Sequence, residues 1–575
     1  MTLSMWLLTI ILVGLVVLLV KFQQHTTAIF GSVLVLIFAL GWVDSETLLG
    51  NAANEGLATL VLLILIAYAL EKTSILTQLT RSLFSKSERS SIVRTISFSG
   101  ISSALLNNTA VVAAMISSIQ KNPQVNTARV LLPMCFAATL GGTMTLIGTS
   151  TNLVVNSMWV KQGHDAIGFF DLTPIGLIVF LLGAIVLYFT SLMLPKKEMV
   201  EEDVEEYFVE AKLESTSSLV GKTVEEAGLR NLVDLFLVEI IRSDRLVRPV
   251  SHSQMLRAGD KLLFSGNVKK IQVLDQFDGL KLFAHKTGLL TQELTEVAIK
   301  QDSNLVGKSL KETGFRAKFD AAVVAIRREG EQVSGKLGEV HLRAGDLLLL
   351  ATGTDFASRD NLRKNFYILS GVTPDNMISG WREKLVMVGF VAMIIGSVVT
   401  GRSLFDLSLF LFAALLFTGC ISVDEIKRHF PVSIWLIVVS ALSLANAMQA
   451  VGMDGQIASF AANSLSGYAP VWTLLGVMVL TIMITELLTN NAAAALMFPI
   501  AYSLAIGMDV NAFPLILAVC FGASCSFISP FGYQTNLMVY NTGLYKIKDF
   551  VKVGGLITVV YTLVCVIMIP IIYPF

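Results

Sequence analysis

The sequence predicts an all-α polytopic membrane protein built of inverted repeats with re-entrant hairpins, plus a soluble α+β insert between the repeats. Three observations predict it. Hydrophobic residues make up 54% of the 575-residue chain and charged residues only 15%, with a mean hydropathy of +0.69, a balance found in proteins that cross a bilayer many times. Two polar clusters inside apolar sequence nearly repeat each other, LLNNTAVVAAM at Leu105 to Met115 and LLTNNAAAALM at Leu487 to Met497. Each is followed by a second matched signature, GTSTN at Gly148 to Asn152 and GYQTN at Gly532 to Asn536. Between Pro195 and about Arg382 the hydropathy collapses. An unpaired amide in hydrocarbon costs several kcal/mol, roughly 4 to 8 on the cyclohexane scale. Polar clusters placed twice in register therefore point to a binding site made by internal duplication.

The runs long enough, or nearly so, to cross a bilayer are Met5 to Val20, Thr27 to Trp42, Leu57 to Leu70, Val130 to Ile147, Pro174 to Leu194, Leu385 to Thr400, Leu404 to Cys420, Pro431 to Ala450, Val471 to Leu488, Asn511 to Ile528 and Gly554 to Tyr573. About ten or eleven spanning helices are expected beside shorter re-entrant pieces. The first run has no basic leading region and no small-residue cleavage site, so it reads as a retained helix. A net charge of zero argues against nucleic-acid binding, which wants a basic surplus. Cys135, Cys420, Cys520, Cys525 and Cys565 lie in or beside apolar spans without CxxC or Cys/His spacing, and core packing is expected of them.

The low-hydropathy stretch opens with an acidic run, Glu198 to Glu210, which reads as a solvated linker. It then contains a repeat of its own. SLVGKTVEEAGLR at Ser218 to Arg230 is echoed by NLVGKSLKETGFR at Asn304 to Arg316, and LRAGDKLLFSG at Leu256 to Gly266 by LRAGDLLLLATG at Leu342 to Gly353, all at one constant offset. Each copy reads as a short helix (TVEEAGL, SLKETGF), an alternating strand (DLFLVEIIR, DAAVVAIRR), and an AGD turn into a last strand. These modules, from about Glu206 to Ser370, resemble the TrkA C-terminal domain of potassium-conductance regulators. No GxGxxG follows a strand, so the resemblance implies a regulatory or dimerising role without the dinucleotide-binding half. The GK pairs Gly221, Lys222 and Gly307, Lys308 fit either a turn before a helix or a nucleotide-phosphate contact. A nucleotide or cyclic dinucleotide regulator follows from the module family alone.

The flanking membrane halves correspond beyond their opening motifs. Val43-Asp44 matches Val423-Asp424, AYALEKT at Ala67 to Thr73 matches ANAMQAVG at Ala445 to Gly452, and Asp171 answers Asp549. The expected divisions are 1–195 and 383–575 for the membrane repeats, and 206–287 and 288–372 for the modules. Arg81, Lys86, Arg89, Arg94, Lys121 and Arg129 flank the first Asn hairpin, whereas no Lys or Arg occurs from His429 through Tyr545. By the positive-inside rule the hairpins then open from opposite faces, and the repeats are inverted, the architecture of secondary transporters.

Asn107, Asn108 and Thr109 at the first tip, and Thr489, Asn490 and Asn491 at the second, offer amide and hydroxyl donors, oxygen acceptors and the amide groups of helix starts. Gly148 and Gly532 allow the crossing helices to unwind beside each tip and expose carbonyls, and Pro530 weakens the second helix there. Thr149, Ser150, Thr151 and Asn152, with Gln534, Thr535 and Asn536, add side-chain oxygens. Hard oxygen ligands suit sodium, and helix N-termini suit an anion. No Lys or Arg falls in the four motifs, so a bound dianion draws its compensating charge from co-bound sodium. That is a physical reason for coupling. The anion set is Asn107, Asn108, Thr109, Thr489, Asn490, Asn491, Thr151, Asn152, Thr535 and Asn536; the sodium set is Asn108, Gly148, Thr149, Ser150, Asn490, Gly532 and Gln534, with no transition metal.

Over nearly the whole chain these motifs resemble the divalent anion to sodium symporter family of the ion transporter superfamily, in the branch with TrkA C-terminal modules between the halves. The family's hairpins usually read SNT; here the central Asn108 and Asn490 are kept and their neighbours depart, and the Pro-containing loops become GTSTN and GYQTN. The resemblance implies a homodimer in the lipid of the plasma (inner) membrane, with cytoplasmic modules and an elevator mechanism. It also implies sodium symport of a divalent anion, sulfate first and a C4 dicarboxylate second. The residues alone leave that choice open. A non-transporting anion sensor is a second reading, weakened by two intact hairpins, and a channel is a third, weakened by polarity confined to four points. No enzyme is expected: neither a nucleophile with its base nor a Walker motif occurs in recognisable spacing.

Other polar residues carry open or plain readings. Glu486 could join a sodium site, take a proton or pair structurally. Asp171 and Asp549 look like N-caps, the six His residues are scattered, and Gly141 and Gly142 read as close packing. Thr143, Thr145 and Ser526 are pathway candidates.

Overall fold

The computed structural model describes residues 2–22, 25–73, 88–120, 126–194, 206–229, 232, 235–242, 245–247, 250–251, 253–267, 274, 276–282, 294–300, 303–328, 331–333, 337–353, 355–357, 359, 361–370, 378–465 and 467–575. Arg81, Lys86 and Lys121 of the charge argument lie outside these. The chain divides into two compact units, one of residues 1–195, 377–537 and 546–575, the other of 196–376 and 538–545.

In the first unit, the opening half comprises α1 (Leu3–Lys21), α2 (Thr26–Ala39), α3 (Ser45–Ala52), α4 (Glu55–Glu71), α5 (Glu88–Leu105), α6 (Asn108–Gln120), α7 (Thr127–Gly142), α8 (Ser150–Lys161) and α9 (Thr173–Met193). Asp44 and Asn54 cap α3 and α4 by accepting the amides of Thr47 and Leu57.

The second unit holds β1 (Glu206–Leu213), β2 (Leu235–Arg242), β3 (Arg245–Val247), β4 (Lys261–Asn267), β5 (Leu280–Leu282), β6 (Leu294–Ile299), α10 (Phe315–Phe319), β7 (Ala321–Arg328), β8 (Glu331–Gln332), β9 (Leu347–Thr352), α11 (Leu362–Asn365) and β10 (Phe366–Ser370). They form two antiparallel five-stranded sheets, in order β3-β2-β4-β1-β5 and β10-β6-β9-β7-β8. Read from the other edge, the second order is the first shifted by one module. The duplicated sequence thus folds into duplicated topology. In each copy the Asp of the AGD turn is buried and takes a two-pronged pair from the arginine ending the second strand: Arg242 Nε and Nη2 reach Asp260 at 2.8 and 2.7 Å, and Arg328 Nε and Nη2 reach Asp346 at 2.8 Å each. Hydrogen bonding to Asp260 pushes the Arg242 guanidinium above its ordinary value. Asp346→Asn is expected to destabilise the insert by about 3 kcal/mol, as breaking a buried pair does, whereas Asp424→Asn, whose partner Lys427 is 3.7 Å away with both side chains exposed, should change stability by less than about 0.5 kcal/mol. Thermal unfolding of the full-length variants measures both.

The expected helices TVEEAGL and SLKETGF are turns. Their starts have capping-box bonds, with the Thr223 and Ser309 amides donating to Glu226 and Glu312 at 2.9 and 2.8 Å. These backbone bonds hold both glutamates below their usual carboxylate range. One turn later Gly228 and Gly314 adopt φ of 71° and 57°, so helical propagation stops.

The closing half of the membrane part contains α12 (Trp381–Thr400), α13 (Leu404–Phe417), α14 (Val423–His429), α15 (Val432–Val451), α16 (Met453–Ser464), α17 (Pro470–Leu487), α18 (Asn490–Gly507), α19 (Phe513–Ser524), α20 (Gln534–Tyr540), whose last residues count with the second unit, and α21 (Ile547–Ile572). Among the described residues seven spans are long and apolar enough to cross a membrane, and four shorter apolar helices, α2, α7, α13 and α19, make up the rest of the eleven runs. Two of the short ones, α7 and α19, stop where the chain unwinds. Large apolar side chains point outward, Phe417 being 94% exposed, the surface a bilayer rather than water would solvate. A buried ion pair between Lys72 at the end of α4 and Glu425 in α14, at 2.6 Å, ties the two halves.

Neither Asp171 nor Asp549 is an N-cap. Asp171 accepts the Gly168 amide at 2.7 Å two residues ahead of α9, and Asp549 sits inside α21 and accepts the Lys546 amide at 2.8 Å. Each fixes the turn that enters its helix.

Candidate functional site

The polar clusters become two helix breaks. The first separates α5 from α6 at Leu106 and Asn107, the second α17 from α18 at Leu488 and Thr489. Five residues before each central asparagine a hydroxyl supports it: Ser103 Oγ donates to Asn108 Oδ1, and Thr485 Oγ1 lies 2.9 Å from Asn490 Oδ1. Asn107 Oδ1 accepts the Thr109 amide at 2.9 Å, capping the start of α6.

The crossing segments unwind between Gly142 and Ser150, and between Ser524 and Gln534. Asn152 Nδ2 donates back to the Thr145 carbonyl at 2.8 Å, and Asn536 Nδ2 to the Ser526 and Ser529 carbonyls at 2.8 and 3.3 Å. Their carbonyl ends are held from the opposite repeat. The Cys520 thiol donates to Asn152 Oδ1 at 3.1 Å and the Cys135 thiol to Asn536 Oδ1 at 3.3 Å. Each crossing loop also touches the other repeat's hairpin tip, Ser150 Oγ donating to Asn491 Oδ1 at 3.1 Å and Asn108 Nδ2 to Tyr533 Oη at 3.1 Å. The four motifs are therefore one interlocked cluster.

Glycines make room for this closeness. A Cβ on Gly142 would overlap the Asn108 carboxamide, and one on Gly532 would overlap Ser526 Oγ. Neither has a positive φ, so the need is for space rather than for left-handed backbone. Glu486 accepts the amides of Phe527, Ile528 and Ser529 at 3.0, 2.9 and 2.9 Å. It fastens the end of α17 to the unwound segment, which is its structural reading. Thr143 and Thr145 turn to the backbone carbonyls of Leu140 and Ala104.

Burial divides the candidate residues. Asn108, Thr109, Gly148, Thr149, Thr151, Asn152, Asn490, Thr535 and Asn536 are buried, whereas Asn107, Ser150, Thr489, Asn491, Gly532, Tyr533 and Gln534 keep accessible surface. Four buried hydroxyls of the cluster, Thr151 Oγ1, Ser524 Oγ, Ser526 Oγ and Thr535 Oγ1, have no hydrogen-bond partner among the described residues. A buried hydroxyl without a protein partner is one that a water or an ion can satisfy. Sequence reasoning missed Ser103, Thr485, Tyr533 and the thiols of Cys135 and Cys520. The cysteines did leave a signal: they stand at nearly the same distance before Asn152 and Asn536.

The chain is similar to an uncharacterized transporter of Synechocystis sp., 30% identical over 95% of this chain and 93% of that protein. It is 28% identical to a putative sulfur deprivation response regulator of Chlamydomonas reinhardtii, over 90% of this chain and 93% of the relative. A probable sodium/sulfate cotransporter 3 of the same alga is 31% identical over 61% of this chain and 41% of its own length. Residues 3–522 match the citrate transporter family, CitMHS, a family of the ion transporter superfamily. The protein therefore belongs to the CitMHS citrate transporter family, a family of secondary transporters and not of enzymes.

Proposed function

We propose that the protein is a sodium-coupled symporter of a small divalent anion, sulfate before a C4 dicarboxylate. The observation that carries this reading is the interlocked cluster, with accessible neutral donors on one side and buried oxygens without partners on the other. The anion lies against Asn107, Thr489 and Asn491, and also against Ser150 and Gln534, which the sequence alone assigns to sodium; all five keep accessible surface. Sodium lies deeper, where Thr151 Oγ1, on the anion side by sequence alone, joins Ser526 Oγ and the carbonyls of the unwound segments in offering hard oxygens. With no Lys or Arg in the four motifs, the cation supplies the charge the anion needs, and this makes coupling obligatory.

The preference for sulfate draws on the name of the Chlamydomonas sodium/sulfate cotransporter, similar over 61% of this chain. The resemblance to the divalent anion to sodium symporters supports a homodimer working as an elevator in the inner membrane. The two β-modules, similar to TrkA C-terminal domains, act there as cytoplasmic regulators that read a nucleotide or cyclic dinucleotide. Radiolabelled sulfate and succinate uptake into proteoliposomes, with and without an inward sodium gradient, tests the reading. Sulfate uptake should collapse without sodium, by roughly the tenfold or more that losing about 1.4 kcal/mol of coupling brings. Equal uptake without sodium would sink it.

A further inference from the structure

We infer that Tyr533 sets the length of the anion site, so that it takes a compact tetrahedral dianion and turns away an extended dicarboxylate. This rests on the transport reading above and narrows its substrate class. GYQTN aligns with GTSTN, so the counterpart of Tyr533 is Thr149. The two halves of the site agree in their amides, their supporting hydroxyls and their returning Asn side chains. They differ in what bridges to the facing hairpin tip. At the second tip the bridge is the small hydroxyl of Ser150, 3.1 Å from Asn491 Oδ1. At the first it is a phenol: Tyr533 Oη accepts from Asn108 Nδ2 at 3.1 Å and lies within reach of the Thr149 hydroxyl.

Two properties of the phenol follow. Tyr533 is only partly buried while Thr535 and Asn536 beside it are buried, and its hydroxyl reaches across to the facing hairpin tip, which puts the side chain at the edge of the cluster. Its oxygen accepts from the Asn108 amide, so its O–H proton is free to donate, to the Thr149 hydroxyl when the site is empty and to an anion when one is bound. A neutral donor on a rigid ring suits an anion whose oxygens surround one atom. A dicarboxylate has two charges held apart by a carbon chain, and a ring bonded across the cluster to Asn108 shortens the space open to it.

The inference is tested in full-length protein in proteoliposomes under a sodium gradient, with labelled sulfate and with unlabelled selenate or succinate as competitor. Tyr533→Ser, which restores a small side chain like that of the counterpart, should improve succinate competition relative to selenate by about tenfold, or about 1.4 kcal/mol. Tyr533→Phe keeps the ring, so it should still exclude succinate while raising the sulfate KM roughly three- to tenfold for one lost neutral hydrogen bond. Tyr533→Leu carries the expectation of the Ser variant should that one fail to fold. An unchanged succinate to selenate ratio in the opened variant, or succinate entry in Tyr533→Phe, overturns the inference. Failure of the wild type to take up sulfate would instead overturn the transport reading. The site length is then read from thermal stabilisation of the same proteins by sulfate and succinate, and an identical ratio in wild type and opened variant overturns it there too.

Discussion

Replacing Asn108 or Asn490 by Ala is expected to abolish anion uptake while the protein still folds and elutes on size exclusion as the wild type does. Both side chains are buried at helix starts, and each is a shared point of several bonds. Asn108 accepts from Ser103 and donates to Tyr533 of the other repeat; Asn490 is bonded to Thr485, whose hydroxyl also lies 2.8 Å from the Ala523 carbonyl. Truncation leaves those partners without the amide, at about 1 to 3 kcal/mol for each buried group left unsatisfied. A loss of that size at the site lowers uptake by roughly 10- to 100-fold or more. That cost lowers the melting temperature modestly, because the long helices bury their faces independently of either amide, whereas transport loses the side chain that the site is built around. Sulfate uptake measured per folded protein checks this, and normal transport by both variants would remove the assignment of the site.

The residues that make up this cluster were legible in the sequence to different degrees. Hydropathy exposed the eleven runs, because a bilayer admits little else, and matched spelling exposed Asn108, Asn490, Asn152 and Asn536 as counterparts. The insert's equal topology was legible for the same reason. What sequence reasoning could not see is contact across the two repeats. Nothing local says that the thiol of Cys135 serves Asn536, or that Tyr533 reaches Asn108, since these partners are hundreds of residues apart and meet only because α7 and α19 both stop short. Local signals also misled where two of them competed. The capping boxes at Thr223 and Ser309 announce helices that Gly228 and Gly314 end after a single turn. Asp171 and Asp549 carry the right chemistry for an N-cap but stand before the cap position in one case and past it in the other, so the bond each makes closes a turn.

Gly142→Ala and Gly141→Ala are adjacent substitutions expected to fail in different ways. Both glycines end α7, and alanine there gains about 1 kcal/mol in helix propensity. At Gly142 the new methyl would overlap the Asn108 carboxamide, a side chain that can swing, but only by breaking its bonds to Ser103 and Tyr533. The fold survives and the site does not, so uptake should fall by at least about tenfold, the equivalent of losing about 1.4 kcal/mol of bonding, with the melting temperature nearly unchanged. At Gly141 the methyl would overlap the backbone of Gly100 in α5, which cannot rotate away. There α5 and α7 must separate, at an overpacking cost of about 1 to 3 kcal/mol or more, and a lowered melting temperature should precede any specific effect on transport. Uptake per folded molecule, plotted against melting temperature, separates the two. If Gly142→Ala lost stability as Gly141→Ala does and kept its uptake, the interlock between the first hairpin tip and the unwound segment would be packing alone.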